Sequence, residues 1–212
     1  MAQIVPLIIW IPAVGAFINI FWGSRMDERQ SALVGILAST GAFLVALTLY
    51  LTMAGANFQE AVVNPLIFDS WILIESAGLN IPWQFRVDTL SITMMLVITG
   101  VGSLIHVYAM GYMHGDPKFS RFFAYLNMFL AFMLILVTGN NMLMLFVGWE
   151  GVGLASFLLI GFWFDKEELD EDGLSLGFRN GGAARKAMIA NRVGDFAMIL
   201  AMILMFWRSM IN

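Results

Sequence analysis

An all-α integral membrane fold is what this chain predicts. Three observations carry that reading: long continuous apolar runs, a shortage of charge, and basic residues gathered in alternate loops. Of 212 residues, 60% are hydrophobic and 12% charged, where a soluble domain carries about 45–50% and about 25%. Mean hydropathy is +0.82. In a soluble fold that surplus would lie in large exposed patches, so lipid is expected as the main solvent. A formal charge of −4 with dispersed cations argues against a nucleic-acid partner. With no cysteine there is no disulfide, cluster thiolate or cysteine nucleophile. His106 and His114 alone make a poor metal site, so no cofactor is expected in the chain itself.

An apolar helix needs about 20 residues to cross the hydrocarbon core. Six stretches qualify, near Ile4–Trp22, Ala32–Ala54, Val87–Met113, Phe122–Thr138, Asn141–Phe164 and Ala187–Trp207. No small-residue cleavage site follows the first, which is read as a retained span and not a signal peptide. The alternation of an outer-membrane barrel is absent. Arg25, Arg29, Lys118, Arg121, Lys166, Arg179, Arg185 and Lys186 fall on one side, against Arg86 and Arg208 on the other. The basic side is expected to be cytoplasmic, with both termini outside.

The loops organise the chain into two parts. Residues 1–113 hold spans 1–3 with an outer loop at 55–86, and residues 114–212 hold spans 4–6 with an acidic cytoplasmic loop at 165–185. Loops as long as the first usually carry structure, and Trp71, Ile72 and Ile74 near Pro65 and Pro82 suggest a short hairpin over the helix ends. Gly139-Asn140-Asn141 reads as a tight turn that makes spans 4 and 5 antiparallel neighbours. The run Asp165 to Asp172 reads as a solvated loop, with partner docking as the lesser alternative.

Ionisable groups inside spans are where function is sought, because each costs several kcal/mol unless paired, hydrated or neutralised. Glu150 lies about 13 Å below the outer boundary of span 5 at 1.5 Å per residue. Gly148, Gly151, Gly153, Ala155 and Ser156 surround it, a run that lets another helix approach closely. Burial penalises its charged form and a nearby cation favours it, so it can load and release a proton as its partner moves. A static glutamate locking two helices is the structural alternative; the rarity of mid-membrane carboxylates favours the first reading. Arg192 and Asp195, three apart on span 6, share a helix face and can pair. That pair either merely neutralises the helix or takes part in a relay, and Asn191 adds an amide to the same face. Asp195 is placed about 12 Å from the inner end of its helix, at a depth similar to Glu150. Lys186 at the inner mouth of span 6 is read first as a snorkelling cation. His106 in span 3 can pass protons through either nitrogen, although a hydrogen-bonded core histidine is the commoner case. Asp88, ahead of Thr89 and Ser91, reads as a helix cap.

Several stretches resemble subunit L of proton-pumping NADH:quinone oxidoreductase (complex I). They are the run from Phe146 through Trp149-Glu150-Gly151-Val152-Gly153 to Trp163, then Lys186-Ala187, and Asn191-Arg192-Val193-Gly194-Asp195-Phe196. Asp88-Thr89-Leu90-Ser91, Leu104-Ile105-His106-Val107-Tyr108, Gly111-Tyr112-Met113 and Arg121-Phe122-Phe123-Ala124-Tyr125 match in the same order. The resemblance implies the N-terminal part of an antiporter-like inverted-repeat bundle, with Glu150 on the hydrophilic axis and a lysine partner on helix 7. It implies roles in proton translocation for Asp195, Arg192, His106 and Lys186. It also implies NADH, FMN, iron–sulfur clusters and quinone in partner subunits, with no redox step in this chain. Subunits M and N, the peripheral arm and the lipid bilayer are the implied partners, and a bacterial inner membrane the implied location.

Family members have well over a dozen spans, so a fragment, a partly determined subunit or one piece of a split subunit whose rest is another chain is expected here. The segment 165–179 is longer than the family's short link. A multi-subunit cation/proton antiporter component without redox partners is the alternative function. A truncated remnant that packs without conducting is the third.

Overall fold

A computed structural model of the chain describes residues 4–55, 61–63, 72–74, 79–169 and 173–211. Among them are six α-helices: α1 Val5–Phe21, α2 Glu28–Gly55, α3 Thr89–Tyr112, α4 Phe119–Thr138, α5 Met142–Ile160 and α6 Leu176–Ile211. Five, α2 to α6, are long and apolar enough to cross a membrane. Helix α1 has 17 residues, about 26 Å at 1.5 Å each, short of the core's roughly 30 Å. The chain is an integral membrane protein built as an all-α bundle. Its outward surface is apolar, with Leu37, Leu104 and Tyr108 all widely exposed.

Two compact units divide the chain, Met1–Gly151 and Val152–Asn212. In the first, the buried face of α2 is a stripe of small residues, Ser31, Ala32, Gly35, Ala38, Ser39, Ala42 and Ala46. They recur at three- and four-residue spacing and therefore face one way. Small side chains are what allow close packing in lipid, where apolar burial drives nothing and van der Waals contact must hold helices together. The approach is close enough that a Cβ on Gly15 of α1 would lie 2.5 Å from the Ala38 Cβ. Toward the other end of the bundle the core is bulkier, with Ile8, Leu49, Met53, Ile92, Met95 and Leu134 fully buried.

The 55–86 connection holds nested antiparallel pairs. Strand β1 (Ala61–Val63) pairs with β4 (Phe85–Val87), and inside it β2 (Ile72–Ile74) pairs with β3 (Leu79–Ile81). Ala61 faces Val87 and Ile72 faces Ile81. The expected hairpin is therefore present as two ladders; Pro65 and Trp71 lie outside the described residues. Strand β4 is stitched to the turn between α4 and α5. Phe85 bridges Gly139, the Asn140 amide N–H donates to the Gln84 carbonyl at 3.1 Å, and Asn141 Nδ2 donates to the Pro82 carbonyl at 2.8 Å. Asn141 also caps α5, its Oδ1 accepting from the Met144 amide at 2.9 Å, as asparagine before a helix does.

Helix α3 opens on the expected cap. Asp88 Oδ1 accepts from the Ser91 amide at 2.8 Å, and the Asp88 amide donates back to Ser91 Oγ at 2.7 Å. That amide, followed by the Ser91 hydroxyl and Arg86, holds the Asp88 carboxyl below its usual range against the opposing effect of burial.

In the second unit, α6 corrects the sequence reading. It begins at Leu176, eleven residues before the expected Ala187, so residues 176–185 are helix and not loop. Gly177, Gly181 and Gly182 give that stretch the look of a loop. Ser175 starts the helix, its Oγ accepting from the Phe178 amide at 3.2 Å. Gly177 is needed where the chain folds back after α5: a Cβ there would lie 2.4 Å from the Phe164 carbonyl oxygen. The Gly177 amide donates to the Lys166 carbonyl at 2.9 Å, and Leu169 bridges Ser175. Asp165, Glu167 and Glu168 are exposed; Asp170, Glu171 and Asp172 lie outside the described residues.

Candidate functional site

Glu150 stands eight residues after the first residue of α5, about 12 Å along the helix, and is half-buried. The glycines beside it do what their pattern promised. A Cβ on Gly148 would sit 2.4 Å from the Leu136 backbone nitrogen and 2.5 Å from its Cα. One turn on, a Cβ on Gly151 would meet the Phe132 ring at 2.1 Å. Helix α4 is thus the partner that approaches α5, and backbone-to-backbone contact fixes the helix that carries the carboxylate.

On α6, Arg192 Nη1 lies 3.3 Å from Asp195 Oδ2. The Asp195 side chain is 7% exposed and that of Arg192 51%, so the aspartate is buried and the guanidinium reaches outward from it. The three-residue spacing gives the pair the sequence predicted. Asn191, on the same face, packs its amide where a Gly153 Cβ would be, 3.2 Å away. This pins α6 to the second half of α5. Because α6 starts early, Asp195 lies nineteen residues from its first residue, about 28 Å. The sequence placed it about 12 Å from the inner end; the added turns are the polar 176–186 segment, so Asp195 stays central in the apolar part.

Lys186 is exposed and eleven residues into the same helix. With Arg179 and Arg185 it borders a hollow also lined by Leu174, Phe178 and Ile189.

His106 is 2% exposed. Its Nδ1 lies 2.7 Å from the Gly102 carbonyl oxygen, which can only accept, so Nδ1–H donates. Nε2 is buried with no hydrogen-bond partner. The ring lies 6.1 Å from the Phe123 ring and borders a cavity of about 240 Å³ between α3 and α4. His114, by contrast, is a surface residue of the bundle's basic end, its Nδ1 2.9 Å from Glu28 Oε2.

Three polar positions went unnoticed in the sequence. Asn19 of α1 and Ser31 of α2 are both buried and hydrogen-bonded to each other. Asn127 of α4 is fully buried, its Nδ2 donating to the Phe123 carbonyl at 3.1 Å and its Oδ1 without a partner. An amide inside an apolar span was the available signal. Among the described residues, no group of three or more histidine, aspartate or glutamate side chains could hold a metal ion.

Comparison with known proteins gives two family matches. Residues 71–123 match the N-terminus of chain 5 of NADH-ubiquinone oxidoreductase (complex I). Residues 139–210 match the transmembrane family of NADH:quinone oxidoreductases and Mrp antiporters. The chain is 43% identical over 200 residues to NADH-quinone oxidoreductase subunit L of Mycobacterium tuberculosis, covering 94% of this chain and 29% of that one. It is 38% identical over 200 residues to the Escherichia coli subunit L, covering 94% and 30%. To chain 5 of NADH-ubiquinone oxidoreductase from Arabidopsis thaliana it is 38% identical over 198 residues, covering 93% and 27%. The chain thus spans about three tenths of the length of these relatives.

Proposed function

Because this chain belongs to the family of NADH-quinone oxidoreductase subunit L and matches its N-terminal portion, we propose that it serves in the membrane arm of a respiratory NADH:quinone oxidoreductase. There it takes part in moving protons across the membrane as quinone is reduced elsewhere. The observation that carries this is Glu150, a carboxylate about 12 Å inside an apolar helix whose neighbouring glycines lock it to α4. Such a group is stable only when paired, hydrated or protonated. A movement that changes its partner changes which of these holds, and so moves a proton.

Asp195 and Arg192 supply a second charged pair whose opening would leave a buried carboxylate needing a proton or another cation. His106 offers a ring nitrogen in α3, and Lys186 a cation at the boundary. In this reading Glu150, Asp195, Arg192, His106 and Lys186 are the residues that carry protons. All six helices, α1 included, cross the membrane, with both termini outside and the basic loops cytoplasmic. Helices α4 to α6 form the first part of the antiporter-like repeat. NADH, FMN, iron–sulfur clusters and quinone reside in partner subunits, among them the neighbouring membrane subunits M and N and the peripheral arm. A bacterial inner membrane is the setting.

The second family description includes antiporters, which keeps one other reading in play: a cation/proton antiporter component without redox partners. Mass spectrometry of the complex that copurifies with the chain in mild detergent separates the two. Flavin and iron–sulfur subunits are expected; recovery of small membrane proteins alone would give the antiporter. In the assembled complex Glu150→Gln is expected to lower proton pumping while assembly persists. Unchanged pumping would make the chain a structural remnant.

A further inference from the structure

The first unit contains a buried polar cluster in which His106 is joined by groups not considered above. At the basic end of the bundle, Asn19 and Ser31 join α1 to α2 by hydrogen bonds. Four residues along each helix, about 6 Å deeper, stand Gly15 and Gly35. Between them lies the amide of Asn127: a Cβ on Gly15 would be 3.3 Å from its Oδ1, and one on Gly35 3.0 Å from its Nδ2. One turn back on α4, Phe123 touches the Gly35 position on one side and the His106 ring on the other. Asn127 is eight residues from the start of α4 and His106 six from the end of α3, so they sit about 12 Å and 9 Å from the same end.

Both carry a buried atom without a partner, Asn127 Oδ1 and His106 Nε2, and both atoms are acceptors. Asn127 Nδ2 and His106 Nδ1 already donate to the Phe123 and Gly102 carbonyls, which fixes the amide orientation and, in the neutral ring, leaves the lone pair on Nε2. Leaving such groups unsatisfied costs about 1–3 kcal/mol each. What they require is a small hydrogen donor, and water alone is small enough and has two.

We propose that this half of the α1–α4 bundle binds exchangeable water at Asn127 Oδ1 and His106 Nε2, admitted along the Asn19–Ser31 seam. Its use as a proton inlet rests on the translocation reading; its hydration does not.

The chain has only two histidines, and His114→Gln leaves one. The full chain with that substitution, ¹⁵N-labelled at histidine and reconstituted in bilayers, is examined by solid-state NMR with magnetisation transferred from water. Transfer to His106 Nε2 is expected, and its loss in Asn127→Leu. No transfer in the folded His114→Gln chain would overturn the proposal, and undiminished transfer in Asn127→Leu would overturn the route. Should Asn127→Leu fail to fold, Asn19→Leu asks the same question at the mouth of the seam. Pumping that is indifferent to Glu150→Gln, with water present at His106, would sink the translocation reading and leave the hydration standing.

Discussion

Replacing Gly148 by alanine tests the contact that positions Glu150. The added Cβ would lie 2.4, 2.5 and 2.8 Å from the Leu136 nitrogen, Cα and Cβ. Non-bonded carbons rest about 3.5–4.0 Å apart, so α4 and α5 must part by roughly 1 Å at their crossing. A gap of that size forfeits about a quarter to a half of each dispersion contact along the seam. In lipid that packing is the main force between helices. Overpacking costs about 1–3 kcal/mol, and here the obstacle is backbone, so a loss of about 2–3 kcal/mol is expected. Two controls sharpen the case. Gly151 has the shorter approach, 2.1 Å, but to ring atoms of the half-buried Phe132, which can swing aside; Gly151→Ala should therefore cost less than Gly148→Ala. Nothing lies within 4 Å of a Cβ on Gly194, so alanine there should gain up to about 1 kcal/mol of helix propensity. Thermal unfolding in one mild detergent, followed by circular dichroism, ranks the three. A Gly148→Ala chain as stable as its parent, or Gly151→Ala as the worst of the set, would refute the reasoning.

Asp195→Asn removes one counter-charge of Arg192 and should destabilise the chain more than the double variant Arg192→Gln/Asp195→Asn; the reverse order of unfolding temperatures would dissolve the pair. Asn141→Ala removes both the α5 cap and the bond to Pro82, a loss of about 1–2 kcal/mol, and unaltered unfolding would show that β4 does not hold the turn. Asp88 is depressed in the folded chain, so its stabilisation is present above its unfolded value near 4 and fades as pH falls through the lower folded one. The stability advantage of the parent over Asp88→Asn should therefore shrink on acidification; a constant gap would contradict the linkage. The exposed His114–Glu28 contact should be worth within about 1 kcal/mol, and Glu28→Gln unfolding much earlier would show otherwise.

Local chemistry explains what was legible in advance. Lipid admits only backbone that satisfies itself, so apolar runs of adequate length had to be helices. Asp88 capped α3 and Arg192 met Asp195 because both pairings span three residues of one chain. Gly139-Asn140-Asn141 had to turn for the same reason. The start of α6 was misplaced because glycines read as loop signals, whereas Ser175 could cap and Gly177 was spent on a close crossing of Phe164.

The sequence alone determined that this chain lives in a membrane as helices, that the charges buried within its spans stand on spans 5 and 6, and that its motifs resemble those of a quinone-reductase membrane subunit. Composition, length and short-range spacing suffice for each. Only the tertiary structure decided that α4 is the helix against the glycines of α5, that β4 is sewn to the α4–α5 turn, and that Asn19, Ser31, Asn127 and His106 belong together. Those last four residues stand up to 108 positions apart in the chain. No local pattern brings them together; that follows from which small-residue stripes pack face to face, and packing is a property of the assembled helices.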